Sequence, residues 1–390
     1  MKRLVLTSAI FIFSLWASVQ AGDSKILVDT NQKPGGQLRL MHFVGMVSIT
    51  GTQSDRVKIT ETLSSYTDRG KRREGEFSSV QFDGNKIIIS GNSNTFAYHQ
   101  LSAEVPTFFS VAVDGAGGNI AVDNITGEIL IHVAGGDTEL NNIKGLVTVN
   151  TSAGDVYMQD FQGRATVTTL GGNLDLKGFV GNVSLKNNAG DITITDGIGN
   201  VQIQSGSGDL MIGQLKGDSL LANMQAGDLS LNGFTGNGTF ILNYGDVNID
   251  EMVGPLDVSL DMGSMAIQHL RGKLDARLKM GNLEVVRHEG SGVVNLEQGD
   301  VDYDWAVEKT KQGDSLSIRT SVGSVYLGYN HEANPSLILK AHGDIDGIEK
   351  LSGVFKTDEK NRQRRIYIYS GSKEKASITT EIGRIKIYER

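Results

Sequence analysis

Apolar and polar residues alternate in short runs, and glycines separate these runs at a fixed interval. Between residues 118 and 299 a glycine occurs every nine residues, with one extra residue between Gly217 and Gly227. The fourth residue after each of these glycines is apolar, as in Val122 and Ile131, and its neighbours are mainly polar. Alternation with a period of two, bounded by glycines, predicts strands that are buried on one face.

The true period is eighteen residues, because alternate nine-residue halves differ. The first half reads Gly-[Asp/Asn]-apolar-x-apolar with a further apolar residue at the seventh place, as in Gly154-Asp155-Val156 followed by Phe161. The second half keeps its alternation for six residues. One strand per half and two halves per turn predict an all-β fold, a single-stranded parallel β-solenoid with coils of about 18 residues.

This register also predicts the core. Each coil should point about six side chains inward, between two sheets ~10 Å apart. Thr151, Thr169, Asn187 and Ser205 fall on one inward column, where stacked hydroxyls and amides could bond along the axis. The column continues as Met224 and then as leucines, so a leucine at position 187 should be tolerated if the column only packs.

The rest of the chain repeats the pattern less regularly, and we predict one elongated body. Residues 1–21 are a signal peptide, and residues 22–117 form irregular N-terminal coils and a cap. Residues 118–305 form the regular solenoid. Residues 306–390 form irregular C-terminal coils and a second cap, where Gly343-Asp344-Ile345 and Gly383-Arg384-Ile385 restart the repeat.

Export is predicted from the first residues. Lys2 and Arg3 precede an apolar run over residues 4–19, and Ala21 supplies a small residue before the expected cleavage site. The alternative is a membrane anchor, but the run is short for a span of ~20 residues and contains Thr7 and Ser8. We therefore expect a mature chain without a transmembrane anchor, located in the periplasm or at the cell surface or beyond it.

The amino-acid composition excludes several kinds of site and partner. The 390 residues include 49 glycines, 4 prolines and no cysteine, which excludes disulfides, cysteine-bound metals and a thiol nucleophile. The formal net charge of −8 argues against nucleic acid as a partner. The expected partner is therefore a surface glycan or an envelope protein, and the oligomeric state stays open.

The repeats resemble a bacterial family of adhesin candidates that is built from Gly-Asp-[Ile/Val]-x-[Ile/Val] units and known as domain of unknown function 4097. The residues that carry the resemblance include Gly118-Asn119-Ile120, the lead-in Ala103-Glu104-Val105-Pro106, and Ile378-Thr379-Thr380 before Gly383. The resemblance covers most of residues 36–390. It implies a β-solenoid and carries no catalytic or binding residues over to this chain.

One acidic residue recurs at the same place in successive coils. Such carboxylates, stacked ~4.8 Å apart, could bind cations as a ladder, or they could accept hydrogen bonds from turn amides. Asn119, Asn173 and Asn282 substitute at this place, which favours the turn role over a metal site. The candidate cation ladder comprises Asp137, Asp155, Asp191, Asp209, Asp228 and Asp246.

Two further surfaces could bind a ligand. An outward row of hydroxyl and amide side chains could meet a glycan or a partner strand, although such rows are commonly ordinary solvated sheet. Two basic clusters could contact anionic polysaccharide, or they could be solvated loop tips. The candidate binding residues are Thr148, Thr166, Thr168, Gln202, Gln204, Arg72, Arg73, Arg364 and Arg365; Tyr157 is an isolated aromatic candidate.

No catalytic motif or cofactor fingerprint is found, so we expect neither an enzyme nor a cofactor. The function predicted is that of an exported, adhesin-like binding or spacer protein of the bacterial envelope. A periplasmic scaffold or stress-response accessory that acts through a protein partner is the alternative. A polysaccharide-active enzyme is the third class, but the regular stack leaves no long loops from which to build a cleft.

Overall fold

The fold is a long sheet wound into a solenoid, as the repeat predicts. The computed structural model describes residues 23–32, 35–64, 66–68, 71–73, 75–91, 98–306, 313–329, 336–348, 355–357, 365–369 and 375–389. The signal-peptide prediction for residues 1–21 lies outside them. Within the described residues all long elements are strands, and no helix is long and apolar enough to cross a membrane.

The regular part of the solenoid consists of parallel strands. Each pairs with a strand on either side of it in the stack, and between strands of this regular part the offset is eighteen residues, or nineteen beside the extra residue. The strands are β10 (Ile120–Asp123), β11 (Thr126–Val133), β12 (Thr138–Thr151), β13 (Val156–Thr169), β14 (Leu174–Ala189), β15 (Ile192–Ile198), β16 (Val201–Ser207), β17 (Leu210–Ala226), β18 (Leu229–Tyr244), β19 (Val247–Val253), β20 (Leu256–Met262), β21 (Met265–Arg271), β22 (Leu274–Met280), β23 (Leu283–Glu289), β24 (Gly292–Gln298) and β25 (Val301–Trp305).

A single coil shows how the sequence sets this geometry. In β13 the chain turns tightly before Val156, runs as one strand, bends near Asp160 and continues as a second strand to Thr169. The side chains alternate between the core and the outside, and both halves point their apolar residues into the same core. The six inward side chains, as many as the pattern predicts, are Val156, Met158, Phe161, Ala165, Val167 and Thr169.

The bend within each coil is made by one residue with a positive φ. Asp160 has φ 54°, and equivalent residues one or more coils away adopt nearly the same value. Left-handed φ is uncommon outside glycine, and a stack of such residues produces a continuous corner along the solenoid. The non-glycine residues of this left-handed column are Asn124, Asn142, Asp160, Asp196, Gln214, Glu251, His269 and Arg287.

The glycine that follows this bend is required by close backbone approach. Gly181 has φ +141°, and a Cβ atom there would lie 1.8 Å from the carbonyl oxygen of Gly163 in the preceding coil. Gly199 repeats the arrangement over Gly181. The nine-residue spacing of glycines therefore reflects a column in which successive backbones stack without room for a side chain.

The polar residues predicted on an inward column are buried, but they bond differently from the expectation. Thr169 Oγ1 donates to Gly171 O at 2.8 Å, and Thr151 bonds its own turn in the same way. Asn187 Nδ2 donates to Gly172 O and Gly190 O, and its Oδ1 accepts the N–H of Ala189. Bonding along the axis is therefore confirmed only for Asn187, which reaches Gly172 in the preceding coil, and these side chains bond to turn carbonyls and not to one another.

The N-terminal end does not follow chain order. The first half of β2 (Gln37–Thr52) pairs with β7 (Lys86–Ser90) on one side and with β9 (Ser110–Gly117) on the other, so the coil of β7, which comes later in the chain, lies outside β2 in the stack. Antiparallel β6, β3 and β1 then cover the exposed edges of that outer coil. The strands are β1 (Asp23–Asn31), β2 (Gln37–Thr52), β3 (Arg56–Ser64), β4 (Tyr66–Asp68), β5 (Lys71–Arg73), β6 (Ser79–Asp83), β7 (Lys86–Ser90), β8 (Tyr98–Pro106) and β9 (Ser110–Gly117).

At the C-terminal end, too, the order of the coils in the stack differs from their order in the chain. The segment of β32 (Lys375–Ile382) and β33 (Ile385–Glu389) inserts between two earlier coils. One of these coils holds β26 (Ser315–Val322) and β27 (Val325–Tyr329), and the other holds β28 (Ser336–Ala341) and β29 (Ile345–Asp346). Antiparallel β31 and β30 then cover β28. The strands are β26 (Ser315–Val322), β27 (Val325–Tyr329), β28 (Ser336–Ala341), β29 (Ile345–Asp346), β30 (Phe355–Thr357), β31 (Arg365–Tyr369), β32 (Lys375–Ile382) and β33 (Ile385–Glu389).

Candidate ligand-binding surfaces

The predicted polar row lies on the outer face of the strands that follow the second glycine of each coil. Thr148 is beside Thr166, and Thr168 lies two residues further along the same strand. Gln202 and Gln204 continue these two columns on β16, two coils further on. The structure therefore brings all five predicted residues onto one sheet, half-buried or exposed.

Part of this row lines a shallow groove of about 340 Å³. Thr166 and Gln202 contribute to its wall, whereas Thr148, Thr168 and Gln204 do not. Asn200 is held in place there because its Oδ1 accepts the N–H of Ser219 at 3.0 Å. The other polar lining residues are Arg164, Asn182 and Ser184. A glycan-binding role for this row stays a prediction.

Tyr157, the isolated aromatic candidate, lies on the other sheet and cannot act together with the polar row. Its ring is 43% exposed, and its hydroxyl donates to Asp155 Oδ2 at 3.0 Å. Partial burial, together with the hydrogen bond to Asp155 and its charge, raises the pKa of Tyr157 to about 12. The hydroxyl is thus a fixed hydrogen-bond donor at neutral pH.

The recurring acidic residues form a continuous hydrogen-bonded ladder. Asp155 Oδ1 accepts the N–H of Asn173 at 2.7 Å, and Asn173 Oδ1 accepts the N–H of Asp191 at 2.9 Å. Ser264 supplies the one hydroxyl rung. The accepting residues are Asn119, Asp137, Asp155, Asn173, Asp191, Asp209, Asp228, Asp246, Ser264, Asn282 and Asp300.

This ladder explains why Asp and Asn interchange at these positions, since both present an acceptor oxygen to the turn amide. One oxygen of each carboxylate is therefore already in use. Among the residues that the structure describes, no three His, Asp or Glu side chains are grouped as metal ligands. Cation binding at the ladder stays an untested hypothesis.

The basic clusters fall largely outside the described part of the chain. Arg72 and Arg73 lie on β5, which pairs with β4 in a small separate sheet. Arg365 begins β31, and Arg364 lies outside the described residues. The side chains of all four are outside the description, so their proposed contacts with anionic polymers stay predictions.

A larger groove, of about 740 Å³, runs along the bend that the left-handed column creates. Its wall has two parallel columns, the left-handed residues themselves and the exposed residues two places further on. Gly197 and Gly233 bear no side chains and open the groove between their neighbours. Its polar lining residues are Asp196, Gln214, Lys216, Thr235, Glu251, His269, Arg271, Arg287 and Glu289.

Charges of both signs alternate along this groove. Asp196 and Lys216 lie at one end, Glu251 lies near the middle, and Arg271 and Arg287 lie toward the other end. Arg271 Nε is 3.3 Å from Glu289 Oε2, and His269 Nδ1 is 2.9 Å from Asp250 Oδ1. Three acidic and three basic groups balance, so the groove has no net formal charge when His269 is neutral.

Our sequence interpretation missed this groove, because its residues look like ordinary polar positions between two strands. A signal was nevertheless present. The residue before the inward seventh position is polar or glycine in every regular coil, for example Asp160, Gly178 and Asp196. A polar column of that kind, at a place where the strand continues on both sides, indicates a bend with an outward-facing rim.

Comparison with known families agrees with this architecture. The profile of the Toastrack DUF4097 family matches residues 162–388, which is more than half of the chain. The chain belongs to the Toastrack DUF4097 family, whose fold is a β-solenoid. No curated protein matches the chain.

The solved structures that match the chain are distant from it in sequence. A candidate cell-adhesion protein from Clostridium sporogenes ATCC 15579 is 12% identical, with 95% of this chain and all of that chain covered and a TM-score of 0.16. A candidate adhesin from Parabacteroides distasonis ATCC 8503 is 11% identical, with 79% and 94% covered and a TM-score of 0.24. One from Bacteroides fragilis NCTC 9343 is 11% identical, with 94% and 97% covered and a TM-score of 0.22.

Proposed function

We propose that the protein is an exported, non-enzymatic, adhesin-like binding rod of the bacterial envelope, and that its larger groove holds an extended ligand. The observation that carries this proposal is the groove itself, which follows the solenoid axis over the six coils from Asp196 to Arg287. Six rungs at ~4.8 Å give a length of about 24 Å. A straight groove of that length suits a linear chain better than a compact small molecule.

The lining favours a polypeptide segment as the ligand. Acidic and basic groups alternate, so a uniformly charged polymer would meet repulsion along half of the wall. Exposed aromatic rings, on which sugars stack, are absent from the lining, where Phe234 is buried. At ~3.3 Å per residue, about seven residues of an extended peptide would span the groove.

The groove is poorly suited to glycoside hydrolysis. Paired catalytic carboxylates are about 5–9.5 Å apart. Asp196 and Glu251 are three coils apart, about 14 Å, and Glu251 and Glu289 are two coils and two residues apart, more than ~10 Å. The lining also holds no serine or cysteine beside His269. These spacings support a binding role over a catalytic one.

The location of the rod distinguishes an adhesin-like role from a periplasmic scaffold. The test is protease shaving of intact cells, combined with fractionation, that follows an epitope tag at the C-terminus. Loss of the tag from intact cells supports the adhesin-like role. Protection until the outer membrane is opened supports the scaffold that acts through a protein partner, and retention in the cytoplasm contradicts export and both roles.

A further inference from the structure

One edge of the solenoid changes character halfway along its length. The residue that precedes the tight-turn glycine is small in the six coils from Gly135 to Ala226 and larger in the six from Tyr244 to Ile382. At the N-terminal end of this edge, Gly117 is again small and Val44, which pairs with it, is large. We name the first set the furrow and the second set the ridge. The furrow is Gly135, Ala153, Gly171, Ala189, Ser207 and Ala226; the ridge is Tyr244, Met262, Met280, Gln298, Val322 and Ile382.

The core does not need the ridge. Tyr244 is 54% exposed and Ile382 is 66% exposed, while Met262, Met280 and Val322 are 38–44% exposed. The inward leucines next to them are at most 2% exposed without further cover. A file of large apolar side chains on an edge that faces solvent indicates an interaction surface.

We propose that this edge joins two copies of the chain in an antiparallel dimer, with the ridge of each copy seated in the furrow of the other. A two-fold axis that passes between the rungs of Ala226 and Tyr244, perpendicular to the rod, places every ridge residue opposite a furrow residue. The pairs are Ala226 with Tyr244, Ser207 with Met262, Ala189 with Met280, Gly171 with Gln298, Ala153 with Val322 and Gly135 with Ile382, each across the axis.

The repeat itself favours a second copy over an unrelated partner. Ridge side chains recur once per coil, at ~4.8 Å, and a partner must offer recesses at the same spacing to engage all of them. The furrow has that spacing because it belongs to the same stack. Ridge and furrow have six rungs each, so the contact is self-complementary and closes on two copies.

The charged ladder beside the edge supports the antiparallel arrangement. The same two-fold axis sets Asp209 opposite Ser264 of the second copy and Asp137 opposite Arg384 of the second copy. It also sets Asp300 opposite Asn173 of the second copy, so that an amide faces the acid. Along this column from Asp137 to Arg384, only the central contact brings two acids together. It sets Asp228 opposite Asp246 of the second copy, and it lies nearest the axis.

The area is sufficient for a specific dimer. Twelve rungs at ~4.8 Å give an edge about 55 Å long, and the two sheets that it joins are ~10 Å apart. The strip is therefore about 550 Å² on each copy and about 1,100 Å² in total, above the roughly 1,000 Å² expected of a biological interface. The larger groove lies at the other bend of each coil, so the dimer leaves both grooves open.

The oligomeric state and its dependence on both halves of the edge provide the first test. Sedimentation of the purified protein is expected to give twice the monomer mass of the chain. Met262→Ser with Met280→Ser should weaken dimerisation at least tenfold, and Ala153→Trp should do the same by filling the furrow. Met211→Ser, at another exposed methionine on β17, should leave the dimer intact. A monomer at all concentrations, or indifference to Ala153→Trp, overturns the proposal.

Cysteine cross-linking tests the orientation, because the chain has no cysteine of its own. Positions 153 and 322 are nine rungs apart within one copy, about 43 Å, but face each other across the axis. Ala153→Cys with Val322→Cys should therefore form a covalent dimer on mild oxidation, and neither single variant should. Cross-linking of Val322→Cys alone would indicate ridge against ridge and contradict the antiparallel arrangement, as would failure of the double variant to cross-link.

Discussion

Asp209 Oδ1 accepts the backbone N–H of Asp228, one coil further on, at 2.9 Å. This single bond is one rung of the ladder that joins every turn of the regular solenoid to the next. It uses an acceptor oxygen that aspartate and asparagine share, and it needs no cation. The negative charge of Asp209, which lies between Asp191 and Asp228, is therefore not needed for this hydrogen bond, and its repulsion from the neighbouring carboxylates destabilises the fold.

The first prediction separates the acceptor from the charge. Asp209→Ala should lower the free energy of unfolding by about 1–2 kcal/mol, because the N–H of Asp228 loses its partner. Asp209→Asn keeps the acceptor and should change the stability by less than ~0.5 kcal/mol. Chemical denaturation of both variants measures the difference. If asparagine were as harmful as alanine, and if calcium raised the melting temperature of the parent protein, the ladder would be a cation site.

The second prediction concerns the polar inward column. Asn187→Leu should destabilise the protein by about 2–4 kcal/mol, because two turn carbonyls and the N–H of Ala189 lose their partner in a buried site. Ser205 provides a matched control in the next coil, since its buried Oγ has no hydrogen-bond partner. Ser205→Ala should be neutral or stabilising. Equal stability of Asn187→Leu and the parent protein would show that the column only packs.

The third prediction concerns backbone stacking. Gly181→Ala places a Cβ 1.8 Å from Gly163 O at a φ of +141°, so we expect a loss of more than ~3 kcal/mol or failure to fold. Gly213 offers the control, because a Cβ there would find Thr195 Cγ2 at 3.7 Å as its nearest neighbour. Gly213→Ala should be tolerated or gain about 0.4–1 kcal/mol from the stiffer unfolded chain. Thermal melts of both variants report the contrast.

A buried histidine makes stability depend on pH. His288 is fully buried, its Nε2 donates to Gly272 O at 2.8 Å, and its Nδ1 accepts the hydroxyl of Tyr303. Burial lowers the pKa of His288 below its ordinary value of 6.5. Between that lowered pKa and 6.5 the unfolded chain binds one more proton than the folded chain.

The fourth prediction follows from this difference in proton binding between the unfolded and the folded chain. The contribution of His288 to stability is complete above pH 6.5 and should fall by up to ~1.4 kcal/mol per pH unit as the pH drops from 6.5 toward the folded pKa. His288→Gln should remove this part of the acid slope. His132→Gln, at an exposed histidine, should not. Equal slopes for the parent protein and His288→Gln between pH 7.5 and 5 would contradict the assignment.

The regular stack could be predicted from the sequence because every coil repeats the same local constraint. Gly181 and its equivalents fix the backbone contacts, and Val167 and Phe161 fix which face is buried. The ends could not be predicted in the same way. The strand at Lys86–Ser90 has the same alternation as any other, and nothing local indicates that it lies outside β2 in the stack.

The candidate sites could be predicted only in part, and for related physical reasons. Thr166 and Gln202 were found because an outward residue on a regular strand is visible from the alternation. The larger groove depends on left-handed φ values at residues such as Asp196 and Glu251, which side-chain chemistry alone does not indicate. The ridge appears only when residues that stack in successive coils, eighteen positions apart in the regular part, are compared down one edge.

The claim that the larger groove binds an extended ligand is tested most directly by retention on isolated cell envelopes. The purified protein is compared with Arg271→Glu and Arg287→Glu combined, which reverse the charges at one end of the groove, and with Lys186→Glu, between Thr168 and Gln204 in the polar row, as a control outside the groove. We predict that the double variant binds at least tenfold more weakly, that the control binds as the parent does, and that protease treatment of the envelopes abolishes retention. Equal retention of all three proteins would contradict the groove as the binding site.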